Sequence, residues 1–194
     1  MPVQIEYTNQ KDFFRSLREL LMGSFSVLDV GCGVGFALRE YPCPVKIGVD
    51  VHRPYLELAQ KRTRMIPLLL DATSLDKVFL PNSVDVVTMI DVIEHFEKEE
   101  GLKVLKDAEK IAQKRVIIFT PRGFFKQVEE DHFGLGGEVY QKHRSGWEVE
   151  DFSSLGYKVK VFQDFHDQSN PSFVKAYGVD APPIDALLAW KDLS

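Results

Sequence analysis

Cysteine is scarce in this chain: there are two among 194 residues, Cys32 and Cys43, at a spacing that matches no zinc site. A disulfide framework is thereby excluded, so stability must come from a hydrophobic core, for which this length suffices in one domain. No apolar run approaches the roughly eighteen residues of a membrane span, and the opening MPVQIEYTNQ is polar. Neither a signal peptide nor a membrane anchor is expected, which predicts a cytoplasmic protein. Basic charge is lacking too: 24 Lys and Arg stand against 29 Asp and Glu, a formal net charge of −5. Its two short clusters, Lys61, Arg62, Arg64 and Lys142, His143, Arg144, read as solvated surface. The broad basic face of a polyanion binder is missing, which argues against a nucleic-acid partner.

What is present is an alternation of short apolar runs with helical patterns. Residues 9–22 place Phe13, Leu17, Leu20 and Leu21 at helical spacing, with Asn9 available as a cap, so a helix precedes the main fold. SFSVLDV then reads as a buried strand, and VGFALREY as a helix stopped by Pro42. Strands are expected at 45–50, 66–71, 84–90 and 115–120, and helices from Pro54 to about Arg64 and over 98–113, the latter with Leu102, Leu105, Ala108 and Ala112 inward. Such an order predicts an α/β fold with a parallel sheet covered on both faces. From 121 to 145 glycines, aromatics and histidines break the rhythm, in a loop long enough to line or cover a site. Beyond it we expect a helix near GWEVEDFSSLG, a closing antiparallel pair from YKVKVFQDF and PSFVKAYGV, and a tail, 179–194, whose short helix from Ile184 to Trp190 docks on the surface. The domain is read as 1–194, with a cap helix in 1–23.

Three glycines at every second position, Gly31, Gly33 and Gly35, follow the apolar run VLDV. They let the backbone turn sharply and let a ligand approach where a Cβ would stand. The helix behind them turns free N–H groups toward the same space. A dinucleotide fold would want GxGxxG, whereas the spacing here is GxGxG with Asp29 just before it. Asp50 in GVDVHRPY and Asp71 in LLLDATSL end the next two strands. This row of acids suits a ligand with an ammonium group, a ribose diol and an adenine amine, although each acid taken singly could merely cap the following segment.

In order and spacing, VLDVGCGVG, GVDVHRPYLELA, LLLDATSL, LPNSVDVVTMIDVIEHF and VIIFTPRG resemble the successive motifs of class I S-adenosylmethionine-dependent methyltransferases, over roughly residues 24–165. The resemblance implies a three-layer, doubly wound, seven-stranded and mostly parallel sheet with an antiparallel last strand, the Rossmann-like methyltransferase fold. It implies S-adenosylmethionine as cofactor. Asp29, Gly31, Gly33 and Gly35 would hold its methionyl end, Asp50 the ribose, Val51 and His52 the adenine flank, and Asp71 and Ala72 the adenine edge. Ile90 would border the same site. Transfer to a small-molecule acceptor, at oxygen, is the expected activity.

Such a transfer asks for a base or a metal at the acceptor. In DVIEHF, Asp91, Glu94 and His95 fall at i, i+3, i+4 and share one face of a helical turn. With the later His143 they resemble the carboxylate and histidine set of small-RNA 3′-end methyltransferases, which hold magnesium or manganese, though Asp stands at 91 in departure from that pattern. His95 and His143 are accordingly the catalytic candidates, as bases or, with Asp91 and Glu94, as ligands of Mg or Mn; a structural or cofactor-contacting role for His95 remains open. His132 beside Asp131 is a second base candidate. Phe124, Phe125, His132, Phe133, Tyr140 and Trp147 are candidates for the acceptor wall, Trp147 more readily as packing. Two rival readings stay beside this one: a cofactor-binding regulatory or partner protein without catalysis, and a nicotinamide-dependent oxidoreductase, which the glycine spacing disfavours.

Overall fold

The computed structural model describes residues 3–126 and 130–193. Its strands are β1 (Ile5–Thr8), β2 (Ser26–Val30), β3 (Val45–Asp50), β4 (Ile66–Leu69), β5 (Val84–Ile90), β6 (Ala112–Pro121), β7 (Lys158–His166) and β8 (Ile184–Asp192). They form one sheet in the order β1-β7-β8-β6-β5-β2-β3-β4. All neighbours run parallel except at β8, which is antiparallel to both β6 and β7. The helices are α1 (Phe13–Leu21), α2 (Phe36–Glu40), α3 (Arg53–Arg62), α4 (Lys98–Ile111), α5 (Val149–Ser153) and α6 (Pro171–Tyr177).

Successive strand residues point to opposite faces, and the core divides accordingly. Val27, Val86, Ile117 and Leu188 join α1, α2 and α3 on one face. Their neighbours Leu28, Val87, Ile118 and Leu187 join α4 and α5 on the other. The three layers of the expected sandwich are therefore present. The eighth strand arises from the polar start of the chain, where Ile5 to Thr8 add to β7 as a parallel edge.

Several local expectations are corrected. Asp12, not Asn9, caps α1, its carboxylate accepting from the Arg15 N–H. In α4, Leu102 is 37% exposed, and Val104 and Ile111 join Leu105 and Ala108 inside; Ala112 belongs to β6. PSFVKAY is helix, not strand: Asn170 accepts from the Ser172 and Phe173 N–H groups and Pro171 opens the first turn, a start that favours helix over an extended run. Residues 184–192 are no surface helix; Ala186, Leu187, Leu188 and Ala189 are fully buried in β8. A run covered on both faces loses the alternation that marks a strand, so its pattern cannot be told from a helix. Asp192 at its end is held by Arg115 at 2.5 Å and Lys158 at 3.0 Å.

β2 neighbours both β3 and β5, and the chain leaves β2 toward α2 on one face and β5 toward α4 on the other. The connections diverge at the carboxyl ends of these two strands, and a crevice opens between them. No helix among the described residues is long and apolar enough to cross a membrane.

Candidate functional site

The turn after β2 has Gly31, Gly33 and Gly35 all at positive φ, +66°, +52° and +80°, yet the three glycines serve different ends. A Cβ on Gly31 would meet Val92 Cγ2 at 2.4 Å, and one on Gly35 would press on Ala59 of α3 at 3.1 Å. Only Gly33 would point its Cβ into open space, with nothing within 4 Å. Two of the glycines are thus required by packing, and the third keeps room beside the backbone. Asp50 fixes the turn: its carboxylate accepts from the Gly33 N–H at 2.9 Å and the His52 N–H at 2.8 Å.

A cleft of about 400 Å³ opens here, lined by Gly31, Gly33, Asp50, Val51, Asp71 and Ala72. Asp71 also caps the short helix that follows β4, accepting from the Thr73 N–H and hydroxyl at 2.8 and 2.7 Å; the capping and ligand readings are compatible, since a carboxylate has further lone pairs. His52 begins α3 and turns its Nε2 to the Leu135 carbonyl at 2.8 Å. Asp29, 2% exposed, accepts from the Tyr41 and Thr88 hydroxyls at 2.9 and 2.6 Å. Burial lifts its pKa to about 7, with Asp50 adding to the rise, and burial raises that of Asp50 as well. Cys32 is buried and its thiol is pushed far up by that burial, consistent with a small residue in the turn.

A second cavity, about 450 Å³, lies alongside and is lined by Asp29, Ile90, Glu94 and His143 among others. The two share Gly31, Gly33, Asp91, His95 and Gln141. Asp91 adopts φ +52°, an unfavourable conformation for a non-glycine residue, with its N–H on the Phe119 carbonyl at 2.8 Å. Glu94 sits in the short helix Ile93–His95. It is 3% exposed; Oε2 accepts from Thr120 at 2.9 Å, while Oε1 has no partner among the described residues. Burial lifts its pKa to about 7, whereas Asp91 is exposed on the wall of both cavities.

The expected face of the DVIEHF turn forms only in part, because Asp91 lies before the short helix Ile93–His95 with its backbone at positive φ. Glu94, His95 and His143 bring one ligand atom each within 4.8 Å of one another; Asp91 lies outside that group. The His95 and His143 rings are 4.9 Å apart, edge to face. His95 Nδ1 meets the Lys142 carbonyl at 3.2 Å, and His143 Nδ1 the Phe125 carbonyl at 2.7 Å. Burial lowers both pKa values, His143 to about 4 with help from the neighbouring His95, so His143 is neutral at pH 7.

Of the expected wall residues, Phe125, His132 and Phe133 line the second cavity and Tyr140 the cleft. Phe124 is 59% exposed and lines neither, and Trp147 is fully buried, stacked on Phe152 at 5.3 Å. Residues 127–129 of the expected lid, 121–145, lie outside the described residues. From Asp131 to Gly137 the loop is tied down: the Asp131 carboxylate accepts from Tyr55 Oη at 2.6 Å and from the Phe133, Leu135 and Gly137 N–H groups. Phe13 and Phe14 of α1 also line the second cavity, so the N-terminal helix borders the acceptor side. Sequence reasoning missed Tyr41, Thr88, Gln141 and His166; Thr88 lies within the quoted LPNSVDVVTMIDVIEHF stretch, and the other three come from segments that carry no local motif.

Comparison with known proteins agrees with this architecture. Residues 28–120 match the family model described as a methyltransferase domain. A SAM-dependent methyltransferase from Archaeoglobus fulgidus superposes with a TM-score of 0.62 at 20% identity, covering 93% of this chain and 92% of that one. The methyltransferase domain of a bacterial Hen1 gives 0.59 at 21% identity, covering 96% and 100%. Phosphoethanolamine N-methyltransferase 2 of Haemonchus contortus, solved with phosphomonomethylethanolamine and S-adenosylhomocysteine, gives 0.65 at 15% identity, covering 94% of this chain and 52% of that one. The chain spans about half the length of two of the proteins it matches. Among curated proteins no sequence matches it.

Proposed function

We propose that the chain is a class I S-adenosylmethionine-dependent methyltransferase, a reading supported by the match of residues 28–120 to a methyltransferase-domain model, and that it transfers a methyl group to a small-molecule acceptor, at oxygen, in the cytoplasm. The observation that carries this reading is a pair of joined cavities around a surplus of negative charge. Asp29, Asp50, Asp91 and Glu94 line the two cavities, and burial raises the pKa of Asp29, Asp50 and Glu94. Arg39 and Arg144 also line the cavities, and a ligand bearing an ammonium and a sulfonium would add the positive charge that buried carboxylates favour. Gly33 leaves that ligand its space.

When bound, S-adenosylmethionine supplies an electrophilic methyl whose leaving group is a neutral thioether. Asp29 and the glycine turn would hold the methionyl end, Asp50 would accept from the ribose hydroxyls, and Asp71 with Ala72 would meet the adenine edge, Val51 and His52 flanking it. Nothing need protonate the leaving group, so the remaining residues align the acceptor and exclude water. The proton of the acceptor hydroxyl falls to the His95–His143 pair; His143, neutral and bonded through Nδ1, keeps Nε2 free to take it. Calorimetric titration with S-adenosylmethionine tests the reading: binding that is lost in Asp50→Ala supports it, and a folded protein that binds none overturns it.

Unpartnered Glu94 Oε1 favours a second reading, in which Glu94, His95 and His143 hold Mg²⁺ or Mn²⁺. Oxygen and imidazole donors suit such ions, and the Nδ1 bonds to backbone carbonyls orient the rings as ligating histidines require. The ion would lower the pKa of the acceptor hydroxyl. Manganese titration followed by electron paramagnetic resonance separates the two: a bound signal lost in Glu94→Gln supports the metal, and none at millimolar Mn²⁺ removes it.

A further inference from the structure

Two buried hydroxyls, those of Tyr41 and Thr88, have no part in the reaction described above, and neither residue lines a cavity. Both reach Asp29, and they do so from different elements. β2 and β5 run parallel with Asp29 opposite Thr88, so the threonine hydroxyl crosses the ladder and donates to Asp29 Oδ1 at 2.6 Å. Tyr41 follows the last residue of α2, the helix that the glycine turn opens. From there, 12 residues along the chain, it donates to the same oxygen at 2.9 Å. Its distance to Thr88 Oγ1 is 3.2 Å; a phenol has one hydrogen, and the shorter approach is the one to Asp29.

A carboxylate oxygen that accepts twice has used both lone pairs. Asp29 Oδ2 is in the opposite state and receives no hydrogen bond among the described residues. It is nevertheless not one of the sealed polar atoms without a hydrogen-bond partner, which are Glu94 Oε1, Asp107 Oδ2 and His166 Nε2. Oδ2 therefore keeps surface on the 450 Å³ cavity that Asp29 lines together with Gly31 and Gly33. Rotation of the side chain would break both hydroxyl bonds at once, so Oδ2 is held in one direction by groups that never meet a ligand. The same bonds oppose the effect of burial on this carboxyl and favour its charged form.

Resting on the methyltransferase reading, we propose that Tyr41 and Thr88 are positioning residues: by saturating Asp29 Oδ1 they hold Oδ2 open to the cavity as the acceptor for the ammonium of the cofactor. They act through Asp29 and make the site select S-adenosyl compounds that carry that ammonium over those that lack it. A ligand without it leaves a buried carboxylate oxygen unpaired, and such a mismatch discriminates more sharply than any loss of apolar contact. Without the hydroxyls the carboxylate is free to turn, and the preference goes with its orientation.

Calorimetric titration with two probes tests this: S-adenosylhomocysteine, and its desamino analogue, in which hydrogen replaces the amino group. The wild type should bind S-adenosylhomocysteine more tightly than the analogue by about tenfold or more, the usual worth of a hydrogen bond to a charged group. Tyr41→Phe keeps the ring and removes only the hydroxyl. It should weaken S-adenosylhomocysteine by about tenfold and leave the analogue within about twofold, so that the preference collapses. Thr88→Val should do the same, and Thr88→Ser, which keeps a hydroxyl, should retain the preference. Hydroxyls that merely support the fold would weaken both probes alike. Equal losses for the two probes, a preference that survives in Tyr41→Phe and Thr88→Val, or a wild type that binds both probes equally each overturn the proposal and leave the methyltransferase reading standing. Should Tyr41→Phe not fold, the two Thr88 variants decide. A folded wild type that does not bind S-adenosylhomocysteine overturns the methyltransferase reading, and the proposal with it.

Discussion

The cleft beside Asp50 and the cavity beside His166 share a wall at Gly31, Gly33, Asp91 and His95, yet they are assembled from different kinds of chain. The cleft is made of strand ends and the first residues after them: Gly31 and Gly33, Asp50 and Val51, Asp71 and Ala72, Asp91 and Val92. Asp50 and Asp71 are positioned there by backbone and hydroxyl hydrogen bonds from nearby residues. The cavity draws on α1, the loop around Phe125 and His132, His143 and the start of α6, which meet only when the whole chain has folded. A ligand common to many reactions can be held by a local backbone pattern; an acceptor particular to one reaction needs side chains gathered from far apart.

The largest expected effect separates chemistry from cofactor binding. His143→Gln should lower the methyl-transfer rate by about 10²- to 10⁴-fold, the usual worth of a positioned base. The S-adenosylmethionine affinity should stay within about twofold. A matched fall in both would show that the two cavities are not separable. Next comes a contrast inside the glycine turn. Gly33→Ala adds a methyl where nothing stands within 4 Å; it should fold, with on the order of 1 kcal/mol of φ strain, and weaken S-adenosylmethionine binding by about 100-fold. Gly31→Ala drives its Cβ onto Val92 Cγ2 at 2.4 Å and should cost on the order of 3 kcal/mol by thermal unfolding. Equal stability of the two variants would refute the division of labour among these glycines.

What could be read in the sequence follows the same line. Asp29, Asp50 and Asp71 stood out because each closes a short apolar run, and β3 and β5 appear with the expected bounds because buried parallel strands read as continuous apolar segments. In the C-terminal third α5 and β7 appear where they were expected, whereas β8 was illegible for a physical reason: it is buried on both faces between β6 and β7, so its apolar run shows neither period. His166 was invisible likewise, since its setting depends on Asn170 four residues on and on Phe125 from a distant loop.

A smaller effect tests the charge surplus. Asp29, with its folded pKa raised to about 7 against an ordinary value of 3.8, costs the protein stability as pH rises from the unfolded value to the folded one. Asp29→Asn keeps an oxygen for Tyr41 and Thr88 and removes that charge. Without ligand, the variant should be more stable than wild type above pH 7, by on the order of 2 kcal/mol. The gain should shrink as pH falls from 7 and vanish below the unfolded value of 3.8, where wild-type Asp29 is protonated in both states. The same variant should bind S-adenosylmethionine more weakly. A gain that is independent of pH would mean that the carboxylate is not the source of the cost.

The smallest effect concerns the strap between the two regions. Asp131 collects Tyr55 Oη and three backbone N–H groups, which holds its carboxyl down at about pKa 2 and ties residues 131–137 to α3 beside the cleft. His52 adds a bond to the Leu135 carbonyl, and the Phe133 ring rests on Tyr55 at 5.5 Å. Phe133 also walls the second cavity, so one carboxylate indirectly sets the shape of the acceptor side from the cofactor side. Asp131→Asn retains the shape but loses the charge that strengthens all four bonds. Amide exchange over Phe133 to Gly137 should accelerate about tenfold, corresponding to about 1.4 kcal/mol of local opening, while the amides of β2 and β5 stay protected. Acceptor affinity should fall with Phe133 released, and S-adenosylmethionine affinity should move less. If instead exchange rises equally in β2 and β5, the loop is part of one cooperative unit with the sheet, and the contrast between a local cofactor site and an assembled acceptor site fails at the point where the two are joined.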